Sequence, residues 1–453
     1  MQVDYRDKQI VVVGAGKSGL ALCDYFCHLG AKVVLSDRRE FSDVSGQLGA
    51  LAGQIELDLG GHTTELFSQA DLVVLSPGVP LEIPAVAAAR SAGIQVTGEV
   101  EIAWQALRVP TIGITGTNGK STTTALLGEI FGAWGQRTFV GGNLGVPLVA
   151  ATNRHGWDWL VVELSSFQLE TIDQFRPRWS LLLNLSEDHL DRYPDLASYR
   201  QAKQRIFINQ TAEDYAVVNL DDPAVLEMAA SGQARQIGFS SSRLPETGMG
   251  LANEQIVWRW QGGEQRFACG ELQLKGVHNL ENVMAAMIPP LVEGCPAELV
   301  WQTVCDFRGL EHRMCLVREL DGVPWYNDSK GTNVGSVVKS LAGLRPPVTL
   351  IAGGKDKGGD YRLLQPALQG KVVELILIGE AAERMELALA GCCRIHRAID
   401  MREAVKLARR LTPERGAVLL SPGCSSFDMF RSFEERGEVF TRAVLELTER
   451  KAG

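Results

Sequence analysis

Eight consecutive residues, Thr115-Gly-Thr-Asn-Gly-Lys-Ser-Thr122, have the types and spacing that grip phosphate. Gly116 and Gly119 let the backbone curl so that successive N–H groups converge on phosphate oxygens. The free N–H groups and dipole at the N-terminus of the helix that follows favour negative charge at the same spot. Lys120 adds a mobile cation, and Ser121 a hydroxyl suited to Mg²⁺. The strict pattern G-x-x-x-x-G-K-[ST] wants glycine at 114, where Ile114 stands. A plain Gly/Asn turn is the competing explanation. Against it, an apolar stretch at 109–114 precedes the motif and helical spacing over 123–131 follows it, giving the order strand, turn, helix.

Other candidates share one trait: each follows the end of an apolar, strand-like run. Gly14, Gly16 and Gly19 fit G-x-G-x-x-G between strand-like segments ending at Gly14 and at Asp37, the βαβ arrangement that binds a nucleotide diphosphate. Ser76-Pro-Gly78 closes another run and reads equally well as a plain turn. Glu163 closes 159–163 downstream of the phosphate motif, where a Walker-B acid would hold Mg²⁺. His189 follows the strand-like 180–184; a lone histidine is more often structural, but this one lies at the edge where a nucleotide should sit. Lys203, on a helix-spaced run over 196–207, reads from physics alone as a solvated lysine. Further on, Asp328, Lys330, Lys355, Lys357 and the run 421–428 recur at strand tips, as a cationic pocket for a small acid would need.

These residues require elements to position them. Strand-like runs at 55–59, 72–75 and 94–97 complete a first parallel α/β unit, and helix 100–107 leads into a second. Short strands fill the chain up to 274, a helix starts at 276, and strands at 323–328, 348–352, 373–378 and 417–420 alternate with helices in a third unit. The chain thus reads as α/β in three units over 1–98, 99–304 and 305–453; an N-terminal Rossmann-like domain, a central P-loop ATPase-type domain and a C-terminal Rossmann-like domain are what the family resemblance given below implies for them. A length of 453 residues agrees with about three domains at roughly 150 residues each. A net charge of −9, without a basic patch, argues against nucleic acid as a partner. Nine cysteines without C-x-x-C spacing point to reduced thiols, and no leader or membrane-spanning run is evident, so a cytoplasmic protein with no membrane partner is expected.

The motifs together resemble the Mur ligases over nearly the whole chain. They are TGTNGKST, GGNLG (141–145), ELSSFQLE (163–170), EDHLDRY (187–193), the lysine of QAK (201–203), HN (278–279), EHR (311–313), NDSKGTN (327–333) and LSPGCSSFDMFRSFEERG (420–437). The last two point to the branch that adds D-glutamate to UDP-N-acetylmuramoyl-L-alanine in peptidoglycan precursor synthesis. The resemblance implies an ATP-dependent amide ligase working through an acyl phosphate, as a monomer. It implies UDP-sugar contacts at Lys17, Ser18, Asp37, Arg39, Gly78, Asn143 and His189. ATP would contact residues 116–122 together with Asn279, Arg313, Asp328 and Lys330, and D-glutamate would contact Thr332, Lys357, Ser426 and the backbone of Phe433. Lys120, His189 and Lys203 would be catalytic. Two Mg²⁺ ions would be held by Ser121, Glu163, His189 and Lys203, the last as a CO₂-derived carbamate. A nicotinamide dehydrogenase, a nucleotide-switch protein and a folylpolyglutamate synthetase are the rivals. The first leaves the phosphate motif without purpose, the second leaves the cationic C-terminal edge unexplained, and the third would take L-glutamate and a pterin.

Overall fold

The computed structural model describes residues 3–189, 192–274 and 276–448, so Leu190 and Asp191 of the EDHLDRY run lie outside the described residues. Its strands form three sheets. The first comprises β1 (Gln9–Val13), β2 (Lys32–Asp37), β3 (Glu56–Leu59), β4 (Leu72–Leu75) and β5 (Val96–Gly98), in the order β3-β2-β1-β4-β5 and parallel throughout. Parallel strands must be covered on both faces. Alternate residues of β1 accordingly enter separate clusters: Ile10 and Val12 in one, Val11 and Val13 in the other.

The central sheet comprises β6 (Thr111–Thr115), β7 (Thr138–Gly142), β8 (Trp159–Glu163), β9 (Trp179–Leu182), β10 (Tyr215–Asn219), β11 (Arg235–Ser240), β12 (Gly248–Ala252), β13 (Gln255–Trp260) and β14 (Gly263–Ala268). Its order is β14-β13-β12-β11-β10-β9-β6-β8-β7, antiparallel only across β12, β13 and β14. β6 therefore lies between β8 and β9, and all three run the same way. The residues that follow β6, β8 and β9, which are the phosphate motif, Glu163 and the 184–189 loop, emerge at one edge. Ligands gather at such carboxyl-terminal edges.

The third sheet comprises β15 (Cys315–Leu320), β16 (Val323–Asn327), β17 (Val348–Gly353), β18 (Val372–Ile378), β19 (Arg394–Arg397) and β20 (Ala417–Leu420), ordered β15-β16-β20-β17-β18-β19 with only the β15–β16 pair antiparallel. The expected α/β class and the three units are all present. Where element ends differ from the sequence expectation, the cause is local: the helix expected over 123–131 runs Lys120–Ala133, because Gly119 turns the chain into it three residues earlier.

The helix Glu99–Leu107 joins the first sheet to the second and is pinned by buried carboxylates. Glu101 Oε2 accepts the N–H groups of Asp173, Gln174 and Phe175 at 2.8, 3.0 and 2.9 Å. Glu99 Oε1 accepts from the Val149 N–H at 2.6 Å, while Oε2 is buried with no hydrogen-bond partner among the described residues. Burial pushes the Glu99 carboxyl up to about 7, against the opposing pull of the Val149 and Leu148 amides. Between its ordinary 4.5 and about 7, the folded chain keeps a proton that the unfolded chain releases, so stability falls as pH rises through that window. Glu99→Gln should therefore raise thermal stability at about pH 8, by on the order of 2 kcal/mol, with the gain shrinking toward about pH 5. Thermal unfolding at both pH values checks this, and a pH-independent effect would rule out titration of Glu99.

Candidate functional site

The phosphate motif is shaped by two glycines. Gly119, at φ +87°, caps the helix Lys120–Ala133 in a left-handed conformation, and a Cβ there would lie 2.1 Å from Asn282 Oδ1. Gly116, at φ +146°, would place a Cβ 3.1 Å from that of Leu183. Ile114, where the strict motif has glycine, is a fully buried strand residue of β6, so the loop begins after it and needs no glycine there. The loop is then stitched to the 184–186 segment. The Thr117 and Asn118 N–H groups donate to Asn184 O and Asn184 Oδ1 at 3.0 and 2.9 Å, and Asn184 Nδ2 returns a bond to Asn118 O at 3.0 Å. Thr117 Oγ1 exchanges bonds with the Ser186 backbone.

Cations converge on this loop. Lys120 Nζ donates to Gly116 O and Thr117 O at 2.9 and 2.8 Å, and Lys203 Nζ donates to the same Gly116 O at 2.9 Å. Lys203 is 1% exposed, with its ammonium 4.6 Å from the centre of the Tyr199 ring. Burial, then the neighbouring Lys120 charge, drives its pKa well below the ordinary lysine value. The bland expectation of a solvated helix lysine is thereby overturned: the helix Leu196–Gln204 turns this residue inward. Arg313, from the C-terminal side, donates to Ser121 Oγ at 2.8 Å.

The carboxylates lie opposite. Glu163 ends β8, accepts from Asn143 Nδ2 at 2.5 Å, and has its second oxygen buried without a hydrogen-bond partner among the described residues. Its burial would raise the pKa, yet the Lys120 charge, with Ser121 and Asn143 beside it, holds it below the usual range. Asp188 is held low despite burial by Lys357 Nζ at 2.9 Å from Oδ1, the neighbouring His189, and Asn333 Nδ2 at 2.9 Å from Oδ2. His189, at φ +56°, packs edge-on to Phe167 at 5.0 Å. Burial lowers its pKa to about 4 despite Asp188, so the imidazole is neutral near neutral pH.

One cavity of about 580 Å³ is lined by Lys120, Ser121, Asn143, Glu163, His189 and Lys203 on the central side, and by Arg313, Lys330, Thr332, Lys357, Ser426 and Phe433 on the other. Lys330 Nζ lies 3.6 Å from the Phe433 ring centre, and burial lowers its pKa to about 8. Phe433 opens the helix Phe433–Leu445, where first-turn N–H groups have no intrahelical partner, and its carbonyl accepts from Ser329 Oγ at 2.9 Å. A smaller cavity of about 60 Å³ adjoins Gly119 and Thr122 and is lined by His278, Asn279, Arg313, Asp328 and Lys330. Asp328 is buried there and accepts from Ser340 Oγ and Ser421 Oγ, both at 2.7 Å; burial pushes its carboxyl up to about 6.

The N-terminal candidates form a separate group. Lys17 and Ser18 open the helix Lys17–His28, and Gly78 lies exposed after β4. Asp37 ends β2 with both oxygens engaged: Oδ2 accepts the Ala15 N–H at 2.6 Å and Arg39 Nη2 at 2.8 Å, and Oδ1 accepts the Arg39 N–H and Nε at 2.9 and 3.0 Å. It braces the glycine turn before it can meet a ligand. None of these five lines the 580 Å³ cavity.

Three family models match consecutive stretches of the chain: the Mur ligase MurD-like N-terminal domain over 8–98, the Mur ligase middle domain over 114–289, and the Mur ligase glutamate ligase domain over 312–424. The UDP-N-acetylmuramoylalanine–D-glutamate ligase of Syntrophotalea carbinolica is 58% identical over 97% of this chain and 98% of its own. The chain belongs to the Mur ligase family. Its similarity to the enzyme of the same name from Geotalea uraniireducens is 49% over 97% of this chain and 98% of that one. Two solved structures share the fold at 18% identity. They are a pseudomurein peptide ligase type C from Methanothermus fervidus (TM-score 0.63, 97% and 99% of the two chains) and the UDP-N-acetylmuramate–alanine ligase of Thermotoga maritima (TM-score 0.60, 96% and 98%).

Within this Mur ligase, sequence reasoning passed over Asp188, Asn184, Asn333 and Tyr199. The strand-edge rule that singled out His189 could have included Asn184 and Asp188, which follow the same strand. Asn333, the N-cap of the helix Val334–Ala342, carried only a capping signal. The crowding at position 119 gives a direct test: Gly119→Ala combines a left-handed φ with contact against Asn282, and should lower stability by about 2 kcal/mol. It should also weaken ATP binding at least about tenfold. Chemical denaturation and nucleotide titration read the two effects.

Proposed function

We propose that this Mur ligase joins D-glutamate to UDP-N-acetylmuramoyl-L-alanine, with cleavage of ATP to ADP and phosphate, in peptidoglycan precursor synthesis. The observation that carries the proposal is the single cavity in which buried cations around a phosphate loop face a lysine- and hydroxyl-lined edge of the C-terminal unit. Residues 1–98 hold the UDP end through Lys17, Ser18, Asp37, Arg39 and Gly78. Residues 99–304 hold ATP on the 116–122 loop, with Asn279 and, from residues 305–453, Arg313, Asp328 and Lys330. D-Glutamate meets Thr332, Lys357, Ser426 and the Phe433 N–H. The enzyme works as a monomer in the cytoplasm.

Among the described residues no cluster of three or more His, Cys, Asp or Glu is arranged to cage a metal. That suits Mg²⁺, which binds through one or two carboxylates and completes its shell with phosphate and water. Glu163, with its unpartnered buried oxygen, and Ser121 would hold one ion. His189 and a carbamate on Lys203 would hold a second. Bound there, Mg²⁺ supplies charge neutralisation for phosphoryl transfer. Lys203 suits the carbamate because burial beside Lys120 favours the neutral amine. That amine attacks CO₂, an N–C bond forms, and one proton leaves.

The terminal carboxylate of the nucleotide sugar attacks the γ-phosphorus, and the bond to the β-phosphate oxygen breaks. Lys120 and Arg313 offset the charge as the two anions meet. The amine of D-glutamate, having lost a proton, then attacks the acyl phosphate carbonyl and expels phosphate. His189, with its pKa near 4, matches a neutral ligand better than a base for an ammonium. Closure of the C-terminal unit keeps water from the intermediate.

Phosphate release from ATP in the presence of UDP-N-acetylmuramoyl-L-alanine should require D-glutamate and fail with L-glutamate. No turnover with either isomer would reject the proposal. Lys203→Ala should lose at least about a hundredfold in kcat and regain part of it with added short-chain carboxylates. Full activity in the unrescued variant would contradict the carbamate role.

A further inference from the structure

The phosphate loop is held from two sides, and only one of them is its own domain. Asn118 spends its N–H and C=O on Asn184. Its Oδ1 faces the other way and accepts from Ser336 Oγ at 2.7 Å, across 218 positions of sequence. Ser336 lies in the first turn of the helix Val334–Ala342, whose N-cap Asn333 accepts the Ser336 N–H at 2.8 Å through Oδ1. The Ser336 hydroxyl lies 3.0 Å from the same Asn333 Oδ1, a second acceptor beside the shorter bond to Asn118. The Asn333 amide nitrogen, left over from capping, donates to Asp188 Oδ2 at 2.9 Å and reaches Asn118 Oδ1 at 3.4 Å. One helix start therefore grips the phosphate loop and the Asp188–His189 loop together. The approach is close at Gly335, where a Cβ would lie 3.3 Å from Ser186 Oγ and 3.6 Å from Asn118 Nδ2.

We propose that Ser336 is a positioning residue: its hydroxyl, bonded to Asn118, is a latch that ties closure of the C-terminal unit to the shape of the phosphate loop. The backbone of Asn118 turns with the loop when phosphate oxygens draw on the N–H groups that follow it, those of Thr117 and Asn118 being held by Asn184, and its side-chain oxygen turns with it. A correctly formed loop presents Oδ1 to Ser336, and a distorted one does not. Nucleotide thus favours closure because the closed state contains a hydrogen bond that only the phosphate-shaped loop makes well. The Arg313 bond to Ser121 acts at the same seam, and both Arg313 and Ser336 line the cavity; Ser336 is uncharged, so its loss leaves the cationic field around the phosphate loop intact and makes it the cleaner reporter. The latch rests on the proposal that nucleotide phosphate binds the 116–122 loop.

Ser336→Ala removes the donor, and Ser336→Thr keeps it on the same helix turn. With ADP and Mg²⁺ as the probe, calorimetry should show about tenfold weaker ADP binding for Ser336→Ala and a change within about twofold for Ser336→Thr. Small-angle scattering during the same titration should show the alanine variant closing only at correspondingly higher ADP. In turnover, kcat should fall about tenfold while KM for the nucleotide sugar, which binds the N-terminal unit, stays within about twofold. ADP binding and closure like the parent in Ser336→Ala would overturn the latch, as would equal losses in both variants. A parent that binds ADP and closes but makes no amide would instead sink the proposed reaction and leave the latch standing.

Discussion

The carbonyl oxygen of Gly116 accepts from two lysines, and much of the active region follows from that crowding. Lys120 and Lys203 each lie 2.9 Å from it, so their nitrogens can be no farther apart than twice that distance. Two like charges so placed repel by about 3 kcal/mol at an effective dielectric constant near 20. Neither has a carboxylate salt-bridge partner among the described residues. The conflict is eased if Lys203 gives up its proton, and eased further by any anion that settles on the loop. The arrangement therefore favours a neutral Lys203 beside a charged Lys120.

Such an arrangement persists only if the surrounding structure leaves the charges nowhere to go. Lys203 is walled in by Tyr199, itself buried against Tyr193, and Lys120 is fixed at the first position of a helix packed on the central sheet. Placing β6 between β8 and β9 brings the compensating carboxylates, Glu163 and Asp188, to the same edge. Each is kept ionised by a different neighbour, Glu163 chiefly by Lys120 and Asp188 by Lys357 from across the seam. The central unit supplies half of the charge balance and the C-terminal unit the other half. Separation of the two would part Asp188 from Lys357 and Asn333 and leave both charges to water.

Whatever depends on local pattern was legible in the sequence. The strand-turn-helix order around residues 115–122, the glutamate closing β8 and the three α/β units all follow from short-range periodicity and turn chemistry. The start of the Lys120 helix was placed three residues late because Gly119 adopts a left-handed cap whose necessity arises from Asn282, 163 positions away. Lys203 reads as a surface lysine because helical spacing cannot say which face meets the phosphate loop, 87 positions away. Asp37 was legible as the acid at the tip of β2, yet its engagement with Ala15 and Arg39 depends on side-chain geometry. The bonds from Ser336 and Asn333 to Asn118 join distant parts of the chain, and no window of sequence contains both partners.

On the proposed reaction, the same charge balance bears on how an acidic amino acid is selected. Lys357 is not a free cation awaiting a carboxylate, since Asp188 already holds it at 2.9 Å. An incoming carboxylate must share its remaining N–H donors, and the net attraction there is less than that of a bare ammonium. The balance of recognition then falls on neutral donors: the Phe433 N–H at the start of its helix, supported by the helix dipole, and the Ser426 hydroxyl. Neutral donors fixed on backbone and short side chains discriminate by position more than by charge. A site that must tell one glutamate enantiomer from the other is better served by such fixed geometry than by a long, mobile lysine. Lys357 itself, bonded to Asp188, then links the occupied amino-acid site back to the loop that carries His189.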